Sequence, residues 1–530
     1  MTGQLPETRA RIAGFSALFF IAFVTLAAFA ALASKAVDDF DFFATLNDSY
    51  LGSIVRFTLW QATLSTVLAV GLAIPTARAL SRQTTFWGRG ALLKLFALPL
   101  ALPALVGVLA ILGLWGRSGW INQLTGDILN FSIFGLPGIL IAHVFFNLPL
   151  ATRLLLTSLE RVPAENWRLA SQMALPSATI FKAIEWPVIK SVLPGIVALV
   201  FMLCLTSFTI VLTLGGGPAS TTLEVAIYQS LRFDFDPGRA VTLALVQLAI
   251  TVALLLISFR FTKTLPDIAS LKSQVPRPDA DTVSARLWDG VFIFLTGCFV
   301  ALPLAALVVD GLLADLPKLL STPAVWWAIG TSFTLALSAA ALSLGLCWAM
   351  LKAIDQQHGI FARLVGFASS AILVMPTIVL GSGWFIILHP LGGVFSFAPV
   401  LVIVINALMA LPFVYRILAP ALFQSVQTHG RLVALLDIKG WTRWRLIDFS
   451  VLKKPLLLAF AFAMALSLGD LGVIALFGSE QITTLPLLLF KSLGSYRTTD
   501  ADGLALILAL SCLVVLYAAE KFSNPKTRKC

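Results

Sequence analysis

Lys182-Ala183-Ile184-Glu185-Trp186-Pro187-Val188-Ile189-Lys190 and Arg445-Leu446-Ile447-Asp448-Phe449-Ser450-Val451-Leu452-Lys453 are two copies of one stretch, identical or conservative at seven of nine positions. Their offset is 453 − 190 = 263, about half of the 530-residue chain. Each copy is a polar, amphipathic loop between two strongly apolar runs. Leu148-Pro149 with Arg153 recurs at the same offset as Leu411-Pro412 with Arg416. Thr221–Leu231 (TTLEVAIYQSL) matches Thr483–Leu493 (TTLPLLLFKSL) at five of eleven positions. Generic likeness between Leu- and Ala-rich runs cannot hold a nearly constant offset across polar loops, so the chain is an internal repeat.

The composition sets what is repeated. Hydrophobic residues make up 58% of the chain and charged ones 12%, with a mean hydropathy of +0.93. Soluble proteins carry roughly 25% charged residues. Many runs exceed the ~20 apolar residues that span a bilayer as a helix. The ~10-residue alternating segments of a membrane barrel are absent. The chain therefore reads as an all-α polytopic membrane protein. Twelve spans are predicted, near 13–34, 54–80, 91–114, 133–158, 188–214, 238–260, 287–313, 326–350, 362–388, 396–420, 455–478 and 502–520. Residues 1–261 form a first half, 262–286 (with Pro266, Pro276 and Pro278) a flexible cytoplasmic linker, and 287–530 a second half.

The net charge of +11 does not point to nucleic acid, because Lys and Arg gather in alternate loops and at the C-terminus. That is the positive-inside pattern. Asp38, Asp39, Asp41 and Asp48 put the first loop outside; Arg78, Arg82, Arg89 and Lys94 put the next inside. Alternating onward, both repeated loops and both termini fall in the cytoplasm. Every matched pair keeps its sidedness, as in a parallel repeat about an axis along the membrane normal. Arg9 and Arg11 precede an apolar run too long for a signal peptide's core, so it reads as a retained first span.

Chemistry within the chain is not indicated. There is no G-x-x-x-x-G-K-[ST] loop, no H-E-x-x-H and no metal-ligand spacing among the five cysteines and four histidines. No catalytic residue, metal or resident cofactor is expected. Asp470, in Ser467-Leu468-Gly469-Asp470-Leu471-Gly472, is the clearest acid inside a predicted span. A carboxylate there costs about 2.5–3.5 kcal/mol to insert. It either faces a polar cavity or partner, or the span ends earlier and it sits at the outer interface.

The loops are built to dock. In the first, Ala164–Met173 makes a short helix opened by Pro163, Pro176 and Ser177 turn the chain, and Thr179–Trp186 makes a second helix ended by Pro187. The second copy runs Gly430–Leu436, turns through Asp437–Gly440 and continues Trp441–Phe449. Such helices suit a partner's groove or, as the plainer reading, the membrane interface. Two copies in equivalent places favour docking.

These loops resemble the EAA loops of ABC-importer permeases (E-A-A-x-x-x-G, a hydrophobic stretch, then Pro). Arg168-Leu169-Ala170, Ala174 and Pro187 take those places in the first copy; Arg431-Leu432-Val433, Asp437 and Ser450 in the second. Longer stretches are similar to the permeases of Gram-negative thiamine importers. They are Ile141–Pro149, Ser207-Phe208 through Pro218, Tyr228-Gln229 through Pro237, Ser467–Asp470 and Leu493–Arg497. The resemblance implies a type I importer fold in the bacterial inner membrane. Two ATP-binding cassette subunits, carrying the ATP and Mg, would grip the loops near 164–187 and 427–450. Their contacts would include Arg168, Ala170, Ala174, Phe181, Glu185, Pro187, Arg431, Asp437, Trp441 and Asp448. Ser207, Phe208 and Asp470 would line the path of a small-molecule cargo, thiamine or its phosphate esters. A periplasmic binding protein would meet the outer loops through Glu224, Tyr228, Asp234, Asp236 and Arg497. One or two copies of the chain would make a complex. An iron(III) importer with the same architecture, and an ion-coupled secondary transporter with a 6+6 repeat, are the competing readings.

Overall fold

The computed structural model describes residues 4–38, 49–126, 132–261, 277, 279–354, 359–392, 394–436, 438, 440–479 and 482–523. Among them the chain is all α-helix and short helical turns. Eleven helices among the described residues are long and apolar enough to cross a membrane. The predicted ninth span is two shorter apolar helices, Ile360–Val374 and Thr377–Leu388. Pro376 is the reason: the residue before a proline is pushed out of the α region, and Met375 sits at φ −77°, ψ 122°. The third span breaks likewise, between Leu98–Ala101 and Ala104–Trp115, with Leu102 at φ −84°, ψ 139° before Pro103.

The fifth span of each half is also interrupted. Trp186–Leu205 gives way at Thr206-Ser207 to Phe208–Leu214, and Phe449–Leu468 gives way at Gly469–Leu471 to Gly472–Phe477. Ser207 and Asp470 occupy the same place in the repeat. Broken spans leave backbone groups without helical partners, which a membrane protein tolerates where they line a cavity.

The two halves interlock rather than sit side by side. The first helix, Gln4–Asp38, packs on Thr377–Leu388 of the second half; in exchange, Val283–Leu313 packs on Ala104–Trp115 of the first. Trp384 Nε1 donates to the Val24 carbonyl at 3.0 Å across this contact. Gly383 permits it, since a Cβ there would lie 2.4 Å from the Ala28 carbonyl oxygen. Side-chain caps repeat as faithfully as the helices. The Leu223 amide donates to Thr58 Oγ1 (3.1 Å), and the Leu485 amide to Ser332 Oγ (2.8 Å).

One helix departs from the repeat. Leu136–Leu159 stops before Pro163 and a new helix, Ala164–Gln172, begins, whereas Val394–Leu435 runs unbroken for 42 residues through the matching region. Val426 stands where the first half has Pro163, so nothing forces a break there.

Candidate functional site

The first polar loop is a two-helix unit with a small core of its own. Val162, Trp167, Ala170 and Ile180 are buried together, with Leu175, Ile184 and Val188 against them. Its first helix ends in a Schellman motif: the Leu175 amide donates to the Ala170 carbonyl (3.0 Å) and the Ala174 amide to Ser171 (3.1 Å). Ala174 therefore sits at φ 47°, in the left-handed region that glycine prefers. In the second loop the Ile438 amide reaches the Val433 carbonyl (3.2 Å) in the same way. Both loops then pass through a π-helical turn, Phe181–Glu185 and Trp444–Asp448, ending on the repeated acid.

Those acids face inward, which corrects the expectation that they meet a partner directly. Glu185 is fully buried; Arg78 Nε donates to Oε2 at 2.7 Å and Arg277 Nη2 to Oε1 at 2.6 Å. Asp448 is buried too, and receives Lys352 Nζ at 2.6 Å. Arg78 and Lys352 close equivalent second spans, and both lie against aromatic rings: Phe181 at 4.8 Å and Trp348 at 4.9 Å, with Trp348 edge-on to Trp444. The repeated acids thus anchor the loops to the bundle. Ala170 is likewise buried and Phe181 half-buried, while Arg168, Ala174 and Pro187 are exposed beside the uncovered Leu169 and Met173. Asp437 and the side chains of Arg431 and Trp441 lie outside the described residues, but Leu432, Leu435, Leu436 and Leu446 are exposed on the second loop.

Between the halves lies a cavity of about 590 Å³, lined by breaks in the spans: Pro99–Ala104, Thr206–Ile210, Thr377 and Gly469–Gly472. Its volume falls in the range of small-molecule sites, roughly 300–1,000 Å³. It brings Ser207, Phe208 and Asp470 together with His143, Asn147, Arg416 and the rings of Phe146, Phe413 and Phe462. Asp470 accepts from the Gly472 and Val473 amides, both at 3.2 Å, so it caps the second piece of its broken span while facing the cavity. Asp470 lies inside a helical run, Trp444–Phe477, that is long and apolar enough to cross a membrane.

His143 was not singled out by sequence, yet it organises the opposite wall. Its Nδ1 lies 2.8 Å from Ser65 Oγ and its Nε2 2.6 Å from Ser207 Oγ, while Ser207 Oγ donates to the Cys204 carbonyl at 3.0 Å. His143 thus ties Ser65 on one span to Ser207 at the break in another. The carboxylate and the guanidinium that line the cavity, Asp470 and Arg416, both come from the second half.

At the end away from the polar loops, Leu223–Arg232 of the first half packs against Thr377–Leu388 and Gly472–Phe477 of the second. This contact buries Glu224 and Tyr228, which corrects their assignment as surface contacts. Neither Glu224 carboxyl oxygen meets hydrogen-bond geometry, and burial pushes its carboxyl up to about 8. Asp234, Asp236 and Arg497 do stand exposed, joined by Phe233, Phe235 and Tyr496.

A helical repeat of broken spans, with a cavity between its halves and two anchored loops at one end, is the architecture of an ABC-transporter permease. No family model matches the chain. It is 50% identical over 522 residues to the thiamine transport system permease protein of Brucella abortus (strain 2308), covering 97% of this chain and 96% of that one. To the protein of the same name from Escherichia coli (strain K12) it is 42% identical over 525 residues, 97% of each. A shorter likeness, 30% over 157 residues, reaches the sulfate transport system permease protein CysW of Synechococcus elongatus, covering 29% of this chain and 54% of that one. The chain belongs to the family of thiamine transport system permeases.

Proposed function

We propose that this chain is the membrane subunit of an ATP-driven importer of thiamine. The observation that carries the reading is the match to thiamine transport permeases along nearly the whole chain. The cavity suits the cargo: thiamine bears a fixed positive charge on an aromatic ring, and Asp470 with Phe146, Phe413 and Phe462 offers a carboxylate and ring faces to it. Two ATP-binding cassette subunits, each carrying ATP and Mg, dock on the exposed residues of the polar loops. Arg168, Leu169, Met173 and Pro187 form one surface; Leu432, Leu435 and Leu446 lie on the other. A solute-binding protein delivers cargo at the opposite end, around Asp234, Asp236, Phe235, Tyr496 and Arg497. The protein lies in the inner membrane with the loops and both termini in the cytoplasm. Since the cavity forms between two halves of a single chain, one copy makes the pathway.

The cavity lining runs toward the loop end, to the exposed Leu154 and Arg416, while helix 223–232 closes the other end, which supports an inward-open reading. Closure of the ATPases would draw the loops together and open the Glu224 contact. The test is reconstitution with the ATPase and binding protein. Thiamine-loaded binding protein should stimulate ATP hydrolysis and uptake together, and Asp470→Asn should lower uptake. Unchanged uptake and ATPase rate in Asp470→Asn would remove its role in the pathway.

A further inference from the structure

We propose that Arg277 and Asp279, at the end of the segment joining the halves, form a clasp that positions the first polar loop, making the two docking sites mechanically unequal. This rests on the docking reading above.

The segment was expected to be a flexible linker. Residues 262–276 and 278 lie outside the described residues, but Arg277 and Asp279 are buried. Arg277 Nη2 donates to Glu185 Oε1 at 2.6 Å, and its Nε and Nη2 donate to the two oxygens of Asp279, both at 3.1 Å. Its Nη1 donates to Ser81 Oγ at 3.0 Å, and its plane lies 4.3 Å above the Trp167 ring. One side chain thereby touches both helices of the loop, through Trp167 and Glu185, and the end of helix Ser49–Arg82. Asp279 accepts from Ser177 Oγ at 3.2 Å, and Ser177 Oγ accepts from Arg78 Nη2 at 2.9 Å. Arg82 bonds Asp289 at the start of the next half, where Gln83 Nε2 also donates at 3.1 Å. Three guanidiniums (Arg78, Arg82, Arg277) thus meet three carboxylates (Glu185, Asp279, Asp289), a neutral set whose burial is tolerated because every member is paired.

The second loop has no such clasp among the described residues. Asp448 has Lys352 within hydrogen-bond distance, and Arg443 stands 3.8 Å away. A lysine ammonium on a flexible stem permits rotation that a forked, stacked guanidinium does not. The first loop therefore moves as one body with the ends of two spans, while among the described residues the second is tied to its span end by Lys352 and the Trp348–Trp444 contact. Arg277 is a positioning residue: it touches neither cargo nor nucleotide.

The test uses the whole importer in liposomes, with its ATPase and binding protein. Thiamine carried per ATP hydrolysed is measured for Arg277→Ala, Arg277→Lys and Lys352→Ala. In the same backgrounds, cysteines placed at Leu169 and Leu432 report disulfide cross-linking of each loop to the ATPase. Arg277→Ala should lower transport per ATP about fivefold or more and slow cross-linking at Leu169 but not at Leu432. Arg277→Lys should recover only part of this, because it restores the charge and not the fork. Asp279→Asn is a milder change of the same sign, for use if Arg277→Ala fails to accumulate. Wild-type coupling in Arg277→Ala, equal change at both cross-links, or full recovery by Arg277→Lys would overturn the clasp. Absence of cross-linking at both loops of the wild type would overturn the docking reading itself, and the clasp with it.

Discussion

The two polar loops are the same stretch of sequence held in two different ways. The first begins at a proline, folds around its own small core and is gripped by two guanidiniums on Glu185. The second grows without a break from a 42-residue helix and is held by one lysine on Asp448. The π-helical turn, the repeated acid and the cation from the second span are common to both, so they are the minimum needed to fix a loop to the bundle. What differs is how tightly the loop is tied to its surroundings, and the chain bridging the halves supplies that difference on one side only.

Removing the acids gives the largest expected effect and the most direct break in the comparison. Glu185→Ala removes the acid that Arg78 and Arg277 share, leaving three guanidiniums to two carboxylates, and should destabilise the fold by about 3–5 kcal/mol. Asp448→Ala strands one lysine that can turn to water, and should cost about 1–2 kcal/mol. Thermal unfolding in detergent measures both; equal shifts would mean that the loops are held alike. Val426→Pro places the first half's break in the second, at a cost of about 3 kcal/mol if the long helix must stay continuous. A negligible shift would show that its continuity contributes nothing.

The breaks in the fifth spans give a smaller contrast. Gly469 lies against Pro103 of the other half, where a Cβ would approach Pro103 Cβ to 2.7 Å, whereas its counterpart Thr206 carries a side chain. Gly469→Ala should cost about 1–3 kcal/mol and slow uptake, and unaltered uptake with unaltered stability would show that the halves have room to spare there. The smallest effect is a gain. Ala174→Gly relieves a left-handed φ of 47° and should stabilise the first loop by up to about 1 kcal/mol, read as slower amide exchange over residues 164–175. Unchanged or faster exchange there would count against strain at Ala174.

Much of the fold was legible because it rests on long-range regularities: apolar runs of spanning length, alternating loop charge and one offset running through polar segments. The breaks at Pro103 and Pro376 were also written locally, as residue pairs that disfavour the helix, but a hydropathy pattern passes over them. Asp470 stood out as the clearest acid inside a predicted span, Ser207 and Phe208 came from the resemblance, and the cavity unites all three. His143 was missed because a lone histidine in an apolar run carries no sign of the two serines that flank it in space. Glu185 and Asp448 were recognised as special for the wrong physical reason. An acid in a polar loop looks like a surface contact until its cation, 107 residues away along the chain in the case of Arg78, is seen to bury it. Glu224 and Tyr228 failed similarly, since a short helix between spans can lie on the surface or fold back between the halves, and composition does not distinguish the two.

The most direct test of the central claim is uptake of labelled thiamine by cells that cannot make it and lack this chain. Restoring the chain together with its ATPase and binding protein should restore uptake, omission of any one of the three should abolish it, and Glu185→Ala should lower it more than Asp448→Ala. Uptake that proceeds undiminished without the chain, or that the chain restores without an ATPase, would contradict the account.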